Sequence, residues 1–142
     1  MPADPLLRLF DVLQPSLAMY LADCGLWSYP GPEEIRLALA DLVADQRNIL
    51  DRAAVVVAER EQARPRLAYP ISFSAWHDVD LRHILPRLVA VLDRQRTELE
   101  ALAATPDDAA AAGFAAEALR SVQQHRDVLA GKLKGPVAAP SA

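Results

Sequence analysis

The chain has 142 residues, 52% of them hydrophobic and 24% charged, with a formal net charge of −4. That length suits one domain with a core of its own, and that balance is wrong for a disordered chain. Thirteen Arg and two Lys are interspersed with 19 acids; with no basic stripe to neutralise phosphates, nucleic-acid binding is not expected.

The opening Met1-Pro2-Ala3-Asp4 lacks the positive stretch and apolar run of a secretory signal. Residues 53–58 and the Ala-rich 109–116 fall far short of the roughly 20 apolar residues a membrane span requires. Cys24 is the only cysteine, so no intrachain disulfide forms and a reducing cytoplasm is the expected setting. The thiol reads as a small apolar filler near a helix end.

Asp4-Pro5 is a helix start, a capping side chain before a proline at the first helical position. Leu6, Leu9, Leu13, Leu17 and Tyr20 follow at helical spacing, and Pro15 predicts a kink or two short pieces. Residues 25–31, ending in Pro30-Gly31, make the first connection. Pro32 opens a second helix, with Glu33 and Glu34 at its positive end. Ile35, Leu39, Leu42, Gln46, Ile49, Ala53 and Val56 form one apolar seam with one polar break. The seam stops at Arg64-Pro65.

A third helix carries Leu81, Leu85, Leu88, Leu92, Gln95, Leu99 and Leu102 at the same alternation, with Pro86 predicting a kink or a restart. Arg94 with Glu98 and Arg96 with Glu100 read as surface pairs. Thr105-Pro106-Asp107-Asp108 marks a fourth start, with Thr105 as cap and Pro106 at the first helical position. Phe114, Ala118, Val122, His125 and Leu129 make its weaker stripe. Lys132 and Lys134 complement its negative end, Gly135-Pro136 stops it, and residues 135–142 read as a loose tail after a single domain over 1–134.

No strand pattern competes, so the predicted fold is all-α: a four-helix bundle of two antiparallel hairpins. The middle link, residues 64–76, is longer than bundle connections usually are. Thirteen extended residues reach about 43 Å, nearly the about 45 Å of a 30-residue helix. A crossover along the bundle is therefore allowed, beside a simple up-down-up-down path.

Two helix pairs joined by a longer middle connection resemble the ferritin-like four-helix family over residues 4–134. The Tyr69-Pro70-Ile71-Ser72-Phe73 and His77-Asp78 stretch also resembles uncharacterised bacterial bundle proteins. The ferritin-like resemblance implies a dinuclear metal centre held by a Glu on each of two helices and Glu-x-x-His on the other two. No Glu-x-x-His occurs here. Gln46 and Ile49, or Asp45 and Asn48, stand at that spacing on the second helix, and Val122 precedes His125 on the fourth. Neutral Gln and Val cannot supply the anionic oxygens that bridge hard cations, so neither a metal nor another cofactor is expected.

His77-Asp78 invites comparison with the His…His-Asp…Asp pattern of metal phosphohydrolases, but no His precedes His77, so that resemblance fails and Asp78 is expected to cap the third helix. His77 and His83 are six residues apart and do not face together on a helix. A metal pair of His83 and His125 would require both at one level of the last hairpin.

Gln46 and Gln95 interrupt two apolar seams. They read first as a buried hydrogen-bonded pair fixing register, and second as a polar pocket with His125. Tyr69, Phe73 and Trp76 make the link the densest aromatic segment. They either plug a bundle end or form a recognition surface, and Trp27-Ser28-Tyr29-Pro30 resembles them. No phosphate loop and no activated nucleophile accompany them. The sequence therefore points to a non-enzymatic structural or partner-binding bundle, self-associating as a homodimer or binding another protein. The alternatives are a degenerate ferritin-like metal or redox protein, and a binder of small apolar ligands.

Overall fold

The computed structural model describes residues 4–133, and within them it is all-helical with no strand. Five α-helices follow in order: α1 (Pro5–Leu13), α2 (Leu17–Asp23), α3 (Glu33–Glu59), α4 (Leu81–Ala103) and α5 (Ala109–Leu133). Short 3₁₀ turns lie at Leu26–Ser28 and Ile71–Trp76. The expected stop at Gly135-Pro136, the contribution of Lys134 and the tail over 135–142 lie outside the described residues. None of these helices is long and apolar enough to cross a membrane.

Local chemistry sets the boundaries. Asp4 accepts from the amides of Leu6 and Leu7 (2.8 and 3.4 Å), with Pro5 at the first position. Pro15 separates two helices, and Ser16 starts α2 by accepting from the Met19 amide (3.3 Å). On α3, Ile35, Leu39, Leu42, Gln46, Ile49 and Ala53 are buried as the spacing predicts, but Val57 rather than Val56 ends the seam. A strict three-four alternation drifts by about 20° per heptad against a straight helix, enough to hand the last position to the next residue. All seven predicted seam residues of α4 are buried.

Two predicted caps are corrected. Asp80, not Asp78, starts α4, accepting from the Arg82 amide at 2.8 Å. Asp78 takes the left-handed conformation (φ 61°) that aspartate tolerates better than most residues. Asp108, not Thr105, starts α5: it accepts from the Ala111 amide at 3.0 Å and is gripped by Arg60 at 2.8 and 3.0 Å. The Thr105 hydroxyl turns back to the Ala101 carbonyl at the end of α4 (3.5 Å). Pro86 is inside a continuous α4, on its exposed side. There solvent replaces the bond that proline cannot give to the Arg82 carbonyl.

Cross-links between helices give their directions. Asp45 with His125, Arg52 with Glu117, and Arg60 with Asp108 rise on α3 as they fall on α5, so these two are antiparallel. Asp93 with Arg126, beside the tight turn after Ala103, makes α4 and α5 antiparallel as well. Consequently α3 and α4 point the same way. Their starts touch directly, since the Leu81 amide donates to the Pro30 carbonyl at 2.8 Å. Gly31 permits that approach: its φ is 136°, and a Cβ there would meet the Leu81 Cβ at 2.9 Å. The start of α1 lies at the far end, where Gln62 donates to Asp4 (3.1 Å). α5 packs along both α3 and α4, and α1 touches all three long helices.

Two predictions follow from the caps. Arg60, as the largest cause, holds the Asp108 carboxyl below the usual carboxylate range. Its contribution to stability is therefore complete above the ordinary aspartate value and is lost as pH falls through the lowered folded value. Asp108→Ala should cost about 1–2 kcal/mol in urea unfolding at neutral pH, and the difference from the unmodified protein should shrink in acid. Asp78→Gly, by contrast, should leave the melting temperature unchanged or raise it, because glycine adopts the positive φ without strain.

Candidate functional site

The link, residues 60–80, returns from the end of α3 to the start of α4 along α1 and α2. Side chains fasten it in chain order. Gln14 donates to the Pro65 carbonyl (2.9 Å) and accepts from Arg64 Nε (3.0 Å). The Tyr69 hydroxyl donates to Asp23 Oδ2 (2.5 Å), and Arg47 donates to Asp23 Oδ1 (2.8 Å). Burial first, and then that bond to Asp23, push the Tyr69 phenol above its ordinary pKa.

Tyr69 and Phe73 are half-buried and pack on Tyr20, with ring centroids at 5.4 and 5.6 Å. Trp76 is half-buried too and lies 6.2 Å from the ring of His83. The aromatics of the two connections meet at Tyr29 and His77, 6.4 Å apart. Tyr29 is buried, its hydroxyl has no partner among the described residues, and burial above all pushes its pKa up to about 12. Ile71, between Tyr69 and Phe73, is 90% exposed.

The structure joins Gln46 and Gln95. Gln46 is 1% exposed and its amide donates to Gln95 Oε1 at 3.3 Å, while Gln95 donates to the Val12 carbonyl at 3.1 Å. The origin of this chain is Pro15. A helix broken there leaves carbonyls of its last turn without amide partners, and Gln95 satisfies one of them from α4. Gln46 then orients Gln95, although its own Oε1 has no partner among the described residues.

His125 is buried but makes no hydrogen bond to either glutamine. Its Nε2 lies 2.5 Å from Oδ2 of Asp45, a half-exposed carboxylate on α3. His83 is exposed. Since Arg126 pairs with Asp93 on α4, His83 lies about ten residues, or roughly 15 Å, nearer the start of that helix than the level of His125. A His83–His125 site does not form. The residues also do not fit a dinuclear centre: among the described residues the buried polar side chains are Gln14, Ser16, Gln46, Gln95 and His125, with no carboxylate. No group of three or more His, Cys, Asp or Glu is placed to hold a metal ion among them.

Sequence reading leaves out Gln14, Asp23 and Arg47 as contacts, and it leaves out the pairing of Asp45 with His125. Gln14 stands beside the predicted break at Pro15, but its amide holds the link and not the broken helix, whose Val12 carbonyl is met by Gln95. Asp45 has the spacing of a ligand pair with Asn48, and nothing local to it points to His125.

Gln95→Leu alone should destabilise by roughly 1–3 kcal/mol, because it strands the buried Gln46 amide and the Val12 carbonyl. Adding Gln46→Leu should recover much of that loss, and a double-mutant cycle in urea would measure the coupling. Comparison with protein-family models, curated proteins and solved structures finds no match to this chain.

Proposed function

We propose that the chain is a non-enzymatic helical bundle that works by association, and that its partner is a second copy of itself. In this reading α1 and α2 together form one corner of a ferritin-like four-helix arrangement, and α3, α4 and α5 form the other three. The shared direction of α3 and α4 and the returning link support that arrangement. A cytoplasmic setting belongs to the same reading and rests on the lone Cys24.

One observation carries the proposal. Trp27 is 61% exposed and borders a groove with Leu26, Ala40, Val43 and Ala44, with Arg47 at its edge. Leu37 is half-exposed one turn before Ala40 on the same side of α3. Scattered exposed apolar residues are normal, but an exposed Trp beside an apolar groove with small residues has the composition of an interface core. The small side chains let another helix approach closely, and a two-fold pairing would seat each Trp27 in the partner's groove.

Light scattering across a concentration series should show a dimer, and Trp27→Ala should weaken it by about 2 kcal/mol, roughly thirtyfold in the dissociation constant. Leu37→Lys should give a monomer with an unchanged helical circular dichroism spectrum. A wild-type chain that stays monomeric at every concentration ends the self-association reading.

A further inference from the structure

A pocket of about 340 Å³ lies under the link, between it, α2 and α3. Its apolar wall is formed by Met19, Leu50, Pro65 and Leu67, and its polar wall includes Arg47 and Arg64. The acceptors around it are already engaged. Asp23 gives one oxygen to Arg47 and the other to Tyr69. The Gln14 amide is used in both directions, toward Pro65 and Arg64.

The cations are not used up in the same way. Among the described residues Arg47 commits only Nη2, which leaves Nε and Nη1. Arg64 commits only Nε to a hydrogen bond, and its Nη1 stands 3.6 Å from Asp51, whose side chain is 73% exposed. Within the lining two guanidinium groups face one carboxylate, Asp23; Asp51 is the second carboxylate nearby, but it stands outside the lining and water screens its pairing with Arg64. Guanidinium donors match the two oxygens of a carboxylate, and they do so best beside an apolar surface that excludes water.

The size is that of a small-molecule site. The mix of walls excludes a highly charged ligand, which would need more than one net positive charge and has no use for the apolar side. We infer that this pocket binds a small amphipathic carboxylate, with its head on Arg64 and Arg47 and its aliphatic or aromatic body against Met19, Leu50 and Leu67. Arg47 borders both this pocket and the Trp27 groove, so the pocket is tested at Arg64 and Leu67, which do not border that groove.

Calorimetric titration of the full chain with octanoate tests the inference, with octan-1-ol and acetate as the uncharged and the bodiless controls. Saturable binding of one octanoate per chain is expected, with neither control matching it. Arg64→Gln should weaken octanoate about tenfold, the loss of one charge-assisted hydrogen bond. Because Arg64 also ties down the link, a second variant is needed: Leu67→Glu, at a half-exposed rim position, should remove binding while leaving the thermal transition in place. Both variants should keep the association state of the wild type, so loss of ligand is read separately from loss of dimer. No saturable octanoate binding, equal affinity for octan-1-ol, or wild-type affinity in both variants would overturn the proposal.

Discussion

The starts of α3 and α4 are held side by side by one backbone hydrogen bond, from Leu81 to Pro30, at a glycine that leaves no room for a side chain. With those starts together and both helices antiparallel to α5, the chain leaving α3 must travel back the length of a 27-residue helix, about 40 Å, to begin α4. The character of the link follows from that journey. Outside its 3₁₀ turn it has little regular backbone pairing, so side chains must hold it: Gln14 and Arg64 near its beginning, Tyr69 on Asp23 at its middle, and rings on Tyr20 beyond that. Aromatic density in this segment is what a long strap needs in order to stay down.

The polar interior has a similar single origin. Pro15 divides the first predicted helix, and the exposed end of α1 then needs hydrogen-bond donors from elsewhere. Gln95 provides one from α4, and Gln46 supports Gln95 from α3. The two glutamines that break otherwise apolar seams thus answer a proline some thirty and eighty residues away. A buried amide costs free energy unless paired, and here the pairing also ties α1, α3 and α4 at one level.

Much of this was legible in the residues. The seams of α3 and α4, the separation at Pro15 and the meeting of Gln46 with Gln95 all follow from helical spacing and from the cost of an unpaired amide. What was not legible depends on the path of the backbone between elements. Asp78 and Asp80 carry the same local capping signal, and so do Thr105 and Asp108. Which of each pair serves is decided by where the turn places it and, for Asp108, by Arg60 arriving from another helix. Asp45 beside His125 and Asp23 beneath Tyr69 are long-range partnerships in which one member looks like an ordinary surface acid. Their partners become neighbours only after the helix directions are set.

The position of α1 also bears on how the chain emerges from the ribosome. Leu6, Leu9, Phe10 and Leu13 are fully buried, yet the surfaces that bury them belong to α3, α4 and α5. α1 is synthesised before the helices that cover it, so it is sheltered completely only when α5 has been made. At each earlier stage the nascent chain carries an uncovered apolar stripe, the kind of surface that recruits chaperones or aggregates. The apolar face of α1 thus waits for three later helices before it is enclosed.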